Sequence, residues 1–109
     1  MKEKLYIIID RLAFCIYVDF MNFSWKENKR LSNLKRHGLD FIDTPIVFEG
    51  YTFTYEDDRF DYGEQRFVTL GLLAGMVVSI VHTEDSDHIH FISFRKATRN
   101  EQIIYFKSV

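Results

Sequence analysis

The chain has 109 residues, 47% hydrophobic and 17% aromatic, with a net charge of −2. That length fits one domain, and so apolar a composition excludes a disordered segment. Cys15 is the only cysteine, which rules out an internal disulfide and a cysteine metal set and suits a reducing cytoplasm.

The mean charge argues against a nucleic-acid binder, but its distribution argues for one. From Lys26 to His37 five cations face Glu27 alone, and from Arg95 to Lys107 four cations face Glu101. Between Asp43 and Glu64 seven carboxylates face Arg59. Segregated charge lets one surface attract an anion while the whole stays acidic.

Residues 1–20 read as an extension ahead of a domain at 21–109. Lys2 and Lys4 precede an apolar run from Leu5 to Ile9, Asp10-Arg11 interrupts it, and Leu12 to Val18 follows. The charged pair spoils both a secretory leader and a membrane span. Two readings stay open: an extra strand or helix packed on the domain, or translation started upstream of Met21. Met21-Asn22-Phe23-Ser24-Trp25 looks like a natural chain start, which favours the second.

Asn22 to Trp25 predicts a short strand, and Lys26 to His37 a helix ended by Gly38. Leu31 and Leu34 mark the expected buried side of that helix. Lys26, Lys29, Arg30, Asn33, Arg36 and His37 form an expected outer stripe. Asp40 to Phe48 predicts a second, shorter helix capped by Asp40, with Pro45 in a delayed first turn or at a distortion.

Tyr51 to Tyr55, Arg66 to Leu73, Met76 to Thr83 and His88 to Arg95 predict strands. An acidic loop from Glu56 to Glu64 and turns at Ala74-Gly75 and Glu84 to Asp87 join them. Strands joined by short turns pair antiparallel, and the element order points to the α+β class.

Ile92-Ser93-Phe94-Arg95-Lys96-Ala97-Thr98-Arg99-Asn100-Glu101 joins the last strand to a closing helix that runs to about Lys107. Thr98 and Glu101 stand in capping-box spacing. Arg95, Lys96 and Arg99 are thereby held near a helix N-terminus, which already favours anions. A basic cluster on such a corner suits a phosphate backbone.

Several fragments, in their order and spacing, resemble one family. They are Phe23-Ser24-Trp25, Asn33-Leu34-Lys35-Arg36-His37-Gly38 with Phe41, Asp58-Arg59, Tyr62-Gly63-Glu64-Gln65-Arg66-Phe67, Val81-His82-Thr83 and the corner from Ile92 to Glu101. From Met21 to about Tyr105 the chain resembles the BrnT toxins of type II toxin–antitoxin modules. The resemblance implies a RelE-like fold, an antiparallel sheet with two helices before it and one after. It implies an endoribonuclease that cuts mRNA and halts growth. It also implies a BrnA-like antitoxin that blocks the active surface, with operator DNA bound only through the complex and a toxin homodimer inside a heterotetramer. Arginines often stand in that family where this chain has His88 and His90, which weakens phosphate attraction at neutral pH.

Metal-free RNA cleavage needs a base for the ribose 2′-OH, an acid for the leaving oxygen and cations for the phosphorane. Arg95 and Arg66, expected to meet on adjoining strands, are the candidate clamps, since a guanidinium fork fits two phosphate oxygens. His82 and Glu64 are the acid–base candidates. Lys35, Arg36, His37, Lys96 and Arg99 are candidate contacts to the RNA backbone, and Trp25 a stacking platform. Each has a plainer reading: His82 in a strand-end hydrogen bond, Glu64 paired with Arg66, Arg95 paired with Glu101, His37 on its helix end, Trp25 in the core. His82, His88 and His90 with Asp85 and Asp87 match no zinc spacing, so no metal or cofactor is expected. The rival function is a non-catalytic binding module of the same fold, with the acidic loop as a docking surface for a basic antitoxin.

Overall fold

Val, Ile and Phe alternate with Thr, Ser and His along the second half of the chain, and that alternation builds a sheet with two different faces. The computed structural model describes residues 6–9, 14–18 and 21–109. Lys2, Lys4 and the Asp10-Arg11 break lie outside the described residues. In chain order the elements are β1 (Tyr6–Ile9), β2 (Phe14–Val18), β3 (Met21–Ser24) and α1 (Glu27–His37). A 3₁₀ turn (Phe41–Asp43), α2 (Thr44–Glu49), β4 (Phe53–Glu56), β5 (Phe67–Leu73), β6 (Met76–Asp85), β7 (His88–Lys96) and α3 (Arg99–Ser108) follow.

The strand order is β1-β2-β3-β7-β6-β5-β4. All neighbours pair antiparallel except β3 and β7, which run parallel. The class is α+β, with two helices ahead of the β4–β7 meander and one behind it, as the RelE-like resemblance implies. Among the described residues no helix is long and apolar enough to cross a membrane.

One sheet face buries Phe23, Trp25, Phe41, Val47, Ile80, Phe91 and Phe94. The opposite face buries Val68, Leu70, Val77 and Ala97 against Tyr105 of α3. The capping box forms: Thr98 Oγ1 accepts from Glu101 N–H at 3.2 Å and Thr98 N–H donates to Glu101 Oε1 at 2.8 Å. The second helix is split. Asp40 caps the 3₁₀ turn, accepting from Ile42 N–H at 3.1 Å, and Pro45 lies in the first turn of α2. Gly71 lets α2 approach β5, since a Cβ there would stand 2.5 Å from Val47 Cγ1.

The orientation of α1 is the reverse of the expected one. Asn33 is buried, while Leu31 is 52% exposed and Leu34 37% exposed. The reason is backbone satisfaction. β3 ends at Ser24, opposite His90, so the rest of β7 lacks a strand partner on that side. The Asn33 side-chain amide takes its place. Asn33 Nδ2 donates to Phe94 O at 2.8 Å and Phe94 N–H donates to Asn33 Oδ1 at 3.0 Å. Nδ2 also donates to Leu39 O at 3.1 Å, just past the left-handed Gly38 (φ 73°) that ends the helix. Buried, unpaired backbone groups are costly, and two half-exposed leucines cost less.

Asn33→Ala leaves the Phe94 N–H and C=O unpaired in a buried place. Urea denaturation is expected to show a loss of about 2–4 kcal/mol. A loss well under ~1 kcal/mol would mean that the amide does not hold β7.

Candidate nucleic-acid interface

β6 and β7 fall out of step at Val81/His82. Val81 pairs with Ser93 and His82 with Phe91, so Ile92 is the additional residue of a bulge. Bulges re-aim the side chains beyond them. Here the bulge turns His90 to the sheet face that carries α3, beyond the part that α3 covers, where Thr83 of β6 already stands. Ser24 on β3, His90 on β7 and Thr83 on β6 stand in one row across the strands. Arg66, just before β5, continues the row, because Phe67 pairs with His82.

A cleft of about 220 Å³ opens over this row, lined by Lys26, Lys29, Glu64, Arg66, Thr83 and His90. A second cleft, about 230 Å³, shares Lys29 and Ile92 with it and adds Arg36, His37 and Ser93. The two form a groove with α1 as one wall and β7 as floor.

Arg66 is held on two sides. Its Nε donates to Glu64 Oε2 at 3.0 Å, and its guanidinium carbon lies 4.2 Å from the Tyr62 ring centre. Tyr62 is fixed in turn, its hydroxyl donating to Asp57 Oδ2 at 2.9 Å. Arg59 closes a bidentate pair on Asp57 at 2.8 and 3.0 Å. That pair, chiefly, pulls the Asp57 carboxyl down to about 2. The acidic loop therefore carries the local Arg59 ion pair and also aims Arg66. Among the described residues the two Nη nitrogens of Arg66 have no hydrogen bond, so its fork is open to an anion.

His90 Nδ1 lies 2.9 Å from Ser24 Oγ, which also bonds His88 Nε2. Burial, then the charges of His88 and Lys26, hold His90 below the ordinary histidine range against an opposing pull from Glu64. His90 is thus a neutral imidazole near pH 7, beside two lysines and an arginine.

Four expectations need correction. Arg95 and Arg66 do not adjoin. Arg95 is opposite Ser79, Arg66 lies in the Thr83 row, and β6 runs between them. Four residues along a strand separate the two rows by about 13 Å. Arg95 is bound to Glu101 at 2.9 and 3.1 Å and lines a separate cleft beside Asp57 and Arg59. Lys96 and Arg99 stay exposed at that corner.

His82 is the second correction. Its ring is fully buried, between those of Phe48 and Phe67, with Nε2 2.7 Å from Thr69 Oγ1. Burial depresses it to about 4. It lies on the opposite sheet face from the groove, out of reach of a substrate there. The third is Trp25, which is 2% exposed and packs on Phe41 and Phe91, so no base can stack on it. The fourth is α1. Of its expected contacts, Arg36 and His37 line the groove, whereas Lys35 is exposed outside it.

Glu64 does meet Arg66 in the groove. His90, Ser24, Lys26 and Lys29 were not among the site residues expected from sequence. The His88-x-His90 spacing on a strand was the available signal, since it puts both rings on one face. Among the described residues no group of three His, Cys, Asp or Glu could hold a metal ion.

The depth of His82 sets an acid limit on stability. Its folded value is below its unfolded one, so the unfolded chain binds the extra proton between about pH 6.5 and 4. Stability from this group is complete above that window and falls with pH through it, by up to about 3 kcal/mol. Chemical unfolding at several pH values is expected to show His82→Gln with a shallower decline than the parent. Parallel declines would contradict the burial.

A family model described as ribonuclease toxin, BrnT, of type II toxin-antitoxin system matches residues 25–101. No curated protein matches the chain.

Proposed function

The chain belongs to the BrnT family of type II toxin–antitoxin ribonuclease toxins, and from that premise we propose that it cleaves mRNA without a metal in the groove between α1 and β7. One observation carries this reading: Lys26, Lys29, Glu64, Arg66 and His90 line a single open cleft. Cations, a carboxylate and a neutral imidazole are the set that 2′-OH attack on a phosphodiester needs.

Arg66 takes the scissile phosphate through its free fork, already oriented by Glu64 and Tyr62. Lys26 and Lys29 add charge beside it. Arg36 and His37, further along the groove, take a flanking phosphate. His90 and Glu64 supply proton transfer. The expected products are a 2′,3′-cyclic phosphate and a free 5′-hydroxyl. Arg95, Lys96, Arg99 and Lys35 contribute outlying charge to the RNA backbone, Arg95 only when it leaves Glu101.

A BrnA-like antitoxin would cover this groove and hold the pair of proteins as a heterotetramer around a toxin dimer. Operator DNA would be reached only through that complex, in the cytoplasm. The alternative is a binding module that holds RNA or a partner without cutting it.

Purified protein in EDTA is expected to cut a defined RNA into fragments with cyclic phosphate ends. Arg66→Ala is expected to slow cleavage about 10²–10³-fold, and His90→Gln about 10²–10⁴-fold. Arg95→Ala should cost less than about tenfold, its charge being already matched by Glu101. RNA bound but left intact, alone and with translating ribosomes, would favour the binding module.

A further inference from the structure

Ser24 is the last residue of β3, and its hydroxyl bridges two rings of β7. Oγ bonds His88 Nε2 and lies 2.9 Å from His90 Nδ1. The rings stand edge to face, with centres 6.4 Å apart. Two hydrogen bonds to one hydroxyl need two protons. When the serine proton lies in one of them, a ring nitrogen supplies the other. If His90 Nδ1–H donates to Oγ, the serine proton points at His88 Nε2. If His88 Nε2–H donates, the serine proton points at His90 Nδ1. In either arrangement the two neutral rings hold the same tautomer, both Nδ1–H or both Nε2–H.

The surroundings of the rings differ. His90 faces Lys26 from the β3–α1 link, Lys29 from α1, Glu64 and Arg66 from the segment before β5, Thr83 from β6, and His88 on its own strand. Cations dominate, and a positive charge on His90 is disfavoured. His88 stands opposite Asp85 on β6 and Asn22 on β3. A positive charge is better placed there.

We propose that Ser24 and His88 are positioning residues that set the tautomer of His90 and carry its proton. The proposal rests on the ribonuclease reading of the groove. At rest His90 is protonated on Nδ1 and presents a bare Nε2 to the groove. Nε2 takes the ribose 2′-OH proton. The Nδ1 proton passes to Ser24 Oγ, and the serine proton passes to His88 Nε2. The 2′-oxygen keeps its electron pair and bonds to phosphorus while the P–O5′ bond breaks. The leaving 5′-oxygen takes the proton back from His90 Nε2, and the reverse shift restores the chain. His90 stays neutral throughout, and the transient charge rests on His88 beside Asp85.

The test is ring ¹⁵N spectroscopy on the full chain labelled at histidine, with cleavage assays alongside. In the parent at neutral pH, His90 is expected in the Nδ1–H form. On acidification the Ser24 bridge should turn His90 to the Nε2–H form while it is still neutral. Ser24→Ala should break that coupling and slow single-turnover cleavage by about tenfold or more, and Ser24→Thr should restore both. His88→Gln is a second variant that should abolish the tautomer change. A His90 tautomer that behaves the same in the parent, Ser24→Ala and His88→Gln, or an unchanged cleavage rate in Ser24→Ala, overturns the proposal. If the parent cuts no RNA, the ribonuclease reading fails on that assay, and the ring spectra still decide the tautomer coupling.

Discussion

The Asn33 amide on the backbone of Phe94 is the contact on which the groove depends. It replaces a missing strand partner at the point where β3 stops, and so it fixes α1 against β7. Every groove residue of α1 takes its place from that pin. With Asn33 turned inward, Lys29, Arg36 and His37 reach the β7 floor. A helix rotated to bury Leu31 and Leu34 would turn them elsewhere. The Ile92 bulge completes the arrangement by turning His90 onto the open face, beside Ser24 and Thr83.

The opposite wall is held by a chain of charge and ring contacts. Arg59 fixes Asp57, Asp57 fixes Tyr62, and Tyr62 supports Arg66. The acidic loop thus balances the cations of the groove while placing one of them. This explains how a chain of net charge −2 can present a basic track. At the far corner the charges are largely satisfied internally, because Arg95 closes on Glu101 and both serve the start of α3.

Much of the fold was legible because its signals are local. Thr98 and Glu101, Gly38 past α1, and the Val- and Ile-rich run of β6 each mark a boundary through near neighbours. β4 began two residues later than its Tyr51-Thr52 pattern suggests, and α2 was shortened by Asp40 and Pro45. The parallel β3–β7 pair was not legible, since it joins residues more than sixty positions apart. Nor was the rotation of α1: apolar spacing marks leucines, while the hydrogen-bond debt of a distant strand buries an asparagine. His82 and Trp25 were candidates because their chemistry suits RNA, beside their plainer readings; Trp25 is in the core, and plain alternation from Ile80 along β6 puts the histidine there too. Glu64 and Arg66 were legible as a pair, but their partner His90 required the register to be known.

The most direct measurement is a titration of the ¹⁵N-labelled protein with a short RNA made uncleavable by 2′-O-methyl groups. The account predicts that shifts concentrate at Ser24, Lys26, Lys29, Arg36, His37, Glu64, Arg66, His90 and Ser93, along the groove that Asn33 holds open. Shifts centred instead on Asp57, Arg59, Arg95 and Arg99, with the groove unmoved, would contradict it.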